Sequence, residues 1–146
     1  MLKTRHTAGA ALLAFALLPI PQAVAAPQAI VTPLQTQALP DIPGKEVLVI
    51  DVTYPPGAVD PTHRHDAHAF VYVLEGTIVM GLKGGREVTL TRGQTFYEGP
   101  DDIHVVGRNA SSTEPARFTV TLVKKKGVDF FIPVQDAGGG AGRHGR

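Results

Sequence analysis

The sequence predicts an all-β protein of one domain, built as a sandwich or a barrel of short strands. Eight runs of about five to ten residues are rich in β-branched and aromatic side chains, and each ends near Gly, Pro, Asn or Asp. This is the pattern of strands separated by turns. No segment beyond the N-terminal region keeps a 3.6-residue apolar period long enough for a helix. A chain of 146 residues has the usual size of one domain.

The first 25 residues have the three-part layout of a secretory signal peptide. Lys3 and Arg5 precede an uncharged apolar stretch, and small residues follow at Ala23 and Ala25. The apolar stretch is shorter than the about 20 residues of a membrane span. We therefore expect cleavage after Ala25 or Ala26 rather than an uncleaved anchor. The sequence predicts an exported protein, periplasmic or secreted, with no membrane partner after cleavage.

The remaining chain divides into three parts. Residues 26–43 carry many Pro, Gln and Thr residues, and we expect an extended N-terminal arm with one edge strand near residues 29–34. Residues 44–135 carry the eight strand-like runs and form the predicted β-barrel domain. Gly84 and Gly85 separate two of these runs and suit a tight hairpin turn, because glycine readily adopts positive φ. Residues 136–146 are glycine-rich and are predicted to be a disordered tail.

Composition and charge exclude several functions. The chain has no cysteine, which excludes disulfides, thiolate chemistry and zinc sites with cysteine ligands. The formal charge is +1 for the whole chain, and without residues 1–25 there are 12 basic and 13 acidic residues. A nearly neutral protein is a poor partner for nucleic acid. The lysine run 124–126 is interpreted as a solvated strand end.

Three histidines, His63, His65 and His68, fall within six positions. His63 and His65 are two residues apart, and in an extended chain this spacing turns both imidazoles to the same face. A metal site needs a further ligand, and His104 is the candidate because it lies where a loop gives way to a strand. Each feature alone is also typical of surface histidines or of a buried, hydrogen-bonded histidine. The two features together favour a metal site.

The residues around His63 and His65 resemble the first of the two sequence motifs of the cupin family. The stretch GAVDPTHRHDAHAFVYVLEG, residues 57–76, has Gly57, His63, His65 and Gly76 in register with that motif. The motif also has a glutamate ligand that is separated from its last glycine by six residues. That position is Ala69 in this chain, and alanine cannot bind a metal.

The residues before His104 resemble the second cupin motif. In GQTFYEGPDDIH, residues 93–104, Gly93 and His104 are in register, whereas Gly99 stands at the motif's proline and Asp101 at its glycine. The resemblance covers about residues 44–133 and is to the small, single-domain cupins. It implies a jelly-roll β-barrel that holds a metal in its mouth through the motif histidines.

Two residues could replace the missing glutamate ligand. His68 precedes Ala69, but neighbouring side chains of a strand point to opposite faces, so His68 suits the position only if a bulge intervenes. Glu98, six residues before His104, is the preferred replacement because a carboxylate inside an apolar barrel must be paired or metal-bound. The alternative for Glu98 is a solvated strand end. The metal site is therefore predicted as His63, His65 and His104 with Glu98.

Two kinds of function remain open. One is a metal-dependent oxygenase that acts on a small organic molecule, in which Glu98 or Tyr72 serves as general base or orienting group. The other is a cupin without turnover that binds a metal or a small ligand, as a sensor or a store. Imidazole ligands suit Zn, Cu, Fe or Ni, and a carboxylate adds Mn. A homodimer is plausible at the apolar segment 128–134, and the aromatic side chains are expected mostly in the core.

Overall fold

The computed structural model describes residues 25–135, and within this range the protein consists of strands and loops. The predicted tail and all but the last residue of the predicted signal peptide lie outside the described residues. Residues 25–135 contain no helix with the length and apolar character of a membrane span. The ten strands are β1 (Ile30–Ala38), β2 (Lys45–Tyr54), β3 (His63–Arg64), β4 (His68–Glu75), β5 (Thr77–Leu82), β6 (Val88–Thr91), β7 (Thr95–Glu98), β8 (His104–Asn109), β9 (Ala116–Lys125) and β10 (Ile132–Pro133).

The strands form two antiparallel sheets of five strands each. The first sheet has the order β1-β2-β9-β4-β7, and the second has the order β10-β3-β8-β5-β6. The apolar core lies between them and combines side chains of both sheets, such as Val71 and Leu122 from the first with Ile78 and Met80 from the second. Two such sheets make a jelly roll. The predicted all-β jelly-roll fold is confirmed.

The alternation inferred for β4 is confirmed. Ala69, Val71 and Val73 are buried in the core, whereas His68 is exposed on the outer face of the first sheet. The strand keeps its period of two through these residues, because His68 to Val73 pair one for one with consecutive residues of β9. No bulge therefore turns His68 inward.

The aromatic side chains differ from expectation. Phe118 is buried as expected, but Phe70, Tyr72 and Tyr97 are about half exposed. They occupy the outward positions of β4 and β7 and form an aromatic patch on the outer face of the first sheet. The apolar residues that alternate with them supply the core on the other face.

The lysine run also differs from expectation. Lys125 and Lys126 are exposed, but Lys124 is 5% exposed, and its Nζ donates a hydrogen bond to Glu46 at 2.7 Å and another to the carbonyl of Val128. A buried lysine is stable only when its charge is paired and its donors are satisfied. The solvated interpretation of this residue is wrong, because Glu46 stands opposite Lys124 in the register of β2 and β9.

Two segments at the ends of the described chain have different structures from those predicted. The arm strand is longer than expected: β1 runs to Ala38 and pairs along β2 as the edge of the first sheet. In the segment 128–134 only Ile132 and Pro133 are paired as a strand. The residues before them instead form a strap, residues 127–131, which crosses one end of the barrel.

Candidate metal centre

Cross-strand pairing brings the three predicted histidines together. His63 on β3 and His104 on β8 are direct partners in the second sheet, and His65 follows β3 by one residue. Each of the three offers a ring nitrogen, and these three atoms lie within 4.8 Å of one another. His63 and His104 are each 3% exposed. The cluster is therefore enclosed at one end of the barrel.

Hydrogen bonds fix the orientation of two of the rings. Nδ1 of His63 donates to the carbonyl of Pro61 at 2.8 Å, and Nδ1 of His65 donates to the carbonyl of Phe130 at 2.6 Å. Each carbonyl holds the proton on Nδ1, so the lone pair of each neutral ring is on Nε2. Phe131 stacks on His63 with 4.3 Å between ring centroids. Both rings are held with their free nitrogen ready to bind a cation.

His104 is the histidine with an unexplained nitrogen. Its Nδ1 lies 3.3 Å from Nε2 of His63. Its Nε2 is buried and has no hydrogen-bond partner among residues 25–135. The nitrogen that His104 presents to the cluster is Nδ1, because this atom is also 3.7 Å from Oε2 of Glu98.

Glu98 supplies the carboxylate at this cluster. It is 3% exposed, and its Oε2 lies 3.6 Å from Nε2 of His65 and 3.7 Å from Nδ1 of His104. Glu98 on β7 is the direct cross-strand partner of Ala69 on β4. Since directly opposite residues project from the same face of a sheet, Glu98 faces the space that a longer side chain at Ala69 would enter. The interpretation of Glu98 as a solvated strand end is wrong.

The loop between β7 and β8 accommodates the departures from the second motif. Asp102 accepts a hydrogen bond from the amide of Gly99 at 2.6 Å, and its own amide donates to the carbonyl of Gly99 at 3.2 Å. These two bonds close a tight turn between Glu98 and His104. The loop thus holds both residues without the proline and the glycine that the motif would place there.

Burial sets the charges of the site. Burial lowers the pKa of His63 and of His65, and burial together with the two neighbouring histidines lowers the pKa of His104 to about 3. Burial, with the charges of Asp102 and Asp60, raises the pKa of Glu98 to about 7. The three imidazoles are therefore neutral near pH 7, which is the form that binds a metal.

The residues fit a divalent transition metal. Two ligand atoms that are each about 2.1 Å from one tetrahedral metal are about 3.4 Å apart, which is close to the spacings of 3.3, 3.6 and 3.7 Å found here. Three neutral imidazoles and one carboxylate are a donor set for Zn, Cu, Fe, Ni or Mn.

A small cavity adjoins the histidines. The strap borders it: Phe130 and Phe131 line the cavity, and Phe131 covers one side of His63. Most of the remaining wall is apolar and comes from the facing sheets, with Ile50, Val52, Val71, Met80, Phe118 and Val120 among its residues. An apolar wall beside a polar cluster is the usual construction of a small-molecule site.

The structure does not bring Tyr72 to this site. Tyr72 is 47% exposed on the outer face of the first sheet, on the opposite side of β4 from the core. The tyrosine that lines the cavity is Tyr54, which is buried and donates a very short hydrogen bond to Asp60. Burial raises the pKa of both Tyr54 and Asp60.

The pair Tyr54–Asp60 lies directly beside the histidines. His104 Cε1, the Tyr54 hydroxyl and Asp60 Oδ2 are all within 3.2 Å of the point where a Cβ on Gly107 would stand. A Cβ at this position would require these side chains to move by a few tenths of an ångström. Sequence reasoning missed the pair, although Asp60 stands inside the first motif between Gly57 and His63. Nothing in the sequence shows that the end of β2 packs against that motif.

Comparison with protein families identifies the chain. The family model described as the cupin domain matches residues 50–122, and the chain belongs to the cupin family. The match includes both histidine motifs and the strands that carry them. A search of curated proteins gives no match.

Solved structures share the fold at low sequence identity. A conserved uncharacterized protein with a double-stranded β-helix domain from Klebsiella pneumoniae is 18% identical, with 74% of this chain and 86% of that one covered and a TM-score of 0.57. A cupin domain from Bordetella pertussis is 24% identical, with 70% and 99% covered and a TM-score of 0.52. The DMSP lyase DddQ from Ruegeria pomeroyi is 19% identical with a TM-score of 0.51. That match covers 57% of this chain, which spans 41% of the lyase.

Proposed function

We propose that this cupin binds one divalent transition metal through His63, His65, His104 and Glu98 and uses it as an oxygenase on a small organic molecule. The observation that carries the proposal is the position of Glu98 directly opposite Ala69. The chain lacks the family's glutamate on β4, and a carboxylate from the neighbouring strand faces the same space. A site that had lost its metal would have no reason to keep a carboxylate buried beside three neutral imidazoles.

The protein's own residues prepare the site for chemistry. Pro61 and Phe130 orient two imidazoles through their carbonyls, and Phe131 with the apolar cavity wall keeps water away from the cluster. In such a dry site electrostatic interactions are stronger than in water. The Tyr54–Asp60 pair can take up a proton from a molecule bound in the cavity. A bound metal would supply Lewis acidity and, if it is redox-active, a place for O₂.

Relocating the carboxylate tests the proposed ligand set. Glu98→Ala is expected to weaken metal binding at least about tenfold. Adding Ala69→Glu to that variant is expected to restore affinity, because the two positions are partners on one face of the first sheet. The matched control adds Phe70→Glu instead, one residue along on the outer face, and it should restore nothing. Chelator competition measures the metal affinity of the wild type, the single variant and the two double variants. Equal metal affinities for the two double variants would contradict the proposal.

Oxygen consumption separates the oxygenase from the function without turnover. The protein is loaded in turn with Fe(II), Mn(II), Cu(II), Ni(II) and Zn(II), and O₂ uptake is recorded with a panel of small hydroxyl-bearing molecules. Uptake with a redox-active metal but not with redox-silent zinc is expected. If the protein binds one equivalent of metal but none of the metal-loaded forms consumes O₂, the alternative is favoured, a cupin that stores or senses a metal or ligand.

We also propose that the protein works outside the cytoplasm and acquires its metal there. The positively charged start, the apolar stretch and the small residues at Ala23 and Ala25 support this proposal. The mature N-terminus of protein recovered from its compartment tests it. A chain that begins at Ala26 or Pro27 is expected, and an intact Met1 would contradict export with cleavage.

A further inference from the structure

The cavity next to the histidines contains negative groups but no cationic side chain. Glu98 and Asp60 are the two carboxylates that line it, and no lysine or arginine is found among the described residues of its wall. A bound molecule would thus meet carboxylates and apolar groups, with no arginine or lysine to pair with an anion.

A bound metal would not reverse this balance. The charge of one divalent cation is equal and opposite to the combined charge of the Glu98 and Asp60 carboxylates. A site with three neutral imidazoles and no further carboxylate would carry two positive charges and attract anions. The two carboxylates together remove that attraction, and an anion buried here would lose its hydration without gaining a partner of opposite charge.

Asp60 also offers a hydrogen-bond acceptor to a bound molecule. Its Oδ2 accepts the hydrogen bond of Tyr54, which holds the carboxylate in place at the cavity wall and leaves Oδ1 as the second acceptor. A hydroxyl group is the neutral donor that matches a carboxylate oxygen, and such a charge-assisted bond is stronger than one between neutral groups. The rest of the wall, including Phe118 and Phe130, suits an apolar body.

We propose that the cavity selects a small apolar molecule that carries a hydroxyl group and no negative charge, with Asp60 as the residue that accepts the hydroxyl and rejects carboxylates. The inference rests on the proposed function, since it names the class of molecule that would meet the metal centre. Asp60 is the specificity-determining residue, and Tyr54 positions it.

Two ring compounds of nearly equal size test the selection. Calorimetric titration of the mature protein with benzyl alcohol and with benzoate is carried out on the metal-free and the zinc-loaded forms. Benzyl alcohol is expected to bind at least about tenfold more tightly than benzoate in both forms, because the buried carboxylate of benzoate loses its hydration and meets no lysine or arginine in the cavity wall. Benzoate binding as tightly as the alcohol, or no detectable binding of the alcohol, would overturn the proposal.

Substitution of Asp60 assigns the selection to one residue. Asp60→Asn keeps the shape of the side chain but removes its charge, so the affinity for benzoate should rise. The ratio of the affinity for benzyl alcohol to the affinity for benzoate should therefore fall about threefold or more. Asp41→Asn, at an exposed position on the turn after β1, is the control and should leave the ratio unchanged. An unchanged ratio in Asp60→Asn would overturn the role of Asp60.

The two forms keep this test independent of the proposed function. If the protein holds no metal but the metal-free form still prefers the alcohol through Asp60, the oxygenase proposal fails and the selectivity stands. If the metal binds but benzoate is preferred, the selectivity fails and the metal centre stands.

Discussion

Replacing His104 by alanine is expected to remove the metal from the protein. Wild-type protein purified from its own compartment should hold about one equivalent of one transition metal, and the variant should hold none that elemental analysis detects. His104 is the proposed ligand from the second motif, and without it the four proposed ligands fall to three, which lowers the affinity for a divalent metal. Nδ1 of His104 lies 3.3 Å from Nε2 of His63 and 3.7 Å from Oε2 of Glu98.

His68→Ala is the matched control for that result. His68 belongs to the same histidine-rich stretch, but its side chain is on the outer face and its Nδ1 is 2.8 Å from the Tyr97 hydroxyl. The metal content of this variant should equal that of the wild type. Loss of metal from His68→Ala with retention in His104→Ala would contradict the assigned ligands. Circular dichroism of both variants establishes that the β fold is retained.

Replacing Glu98 by glutamine should have opposite effects on metal affinity and on the stability of the metal-free protein. Metal affinity should fall about 10–100-fold. The folded-state pKa of Glu98 is raised from 4.5 to about 7 by burial, so the folded state binds its proton more tightly than the unfolded state. The ionised carboxylate therefore destabilises the fold increasingly as the pH rises from about 4.5 through about 7. Glutamine removes this cost, and at pH 8 the metal-free variant should be more stable by about 1–3 kcal/mol.

Denaturant unfolding of the metal-free proteins at pH 5 and pH 8 measures the second effect. At pH 5 Glu98 is mostly protonated in the folded state, so wild type and variant should differ little. The histidines are common to both proteins, and their own loss of stability below pH 6.5 cancels in the difference. Glu114→Gln, at an exposed position, is the control. Its difference in unfolding free energy from the wild type should be the same at pH 5 and pH 8. A variant less stable than wild type at pH 8 would show that Glu98 is not a buried, uncompensated charge.

The sequence by itself determined the fold and most of the proposed ligand set. Strands with a period of two and turns marked by glycine are local features, so the jelly roll and the exclusion of His68 follow from neighbouring residues. His63 and His65 face the same way for the same reason. His104 required one further step, the resemblance of its surroundings to a second motif, because its partner His63 is 41 residues away along the chain.

Only the tertiary structure decided the remaining groups of the site. Glu98 is a ligand candidate because the register of β4 and β7 places it opposite Ala69, and register between strands is not encoded in either strand alone. Tyr54 meets Asp60, and the strap residue Phe130 meets His65, through packing between distant segments. Burial then lowers the pKa of the histidines and raises that of Glu98. Such shifts depend on the assembled interior, since desolvation acts on a side chain only when the folded protein surrounds it.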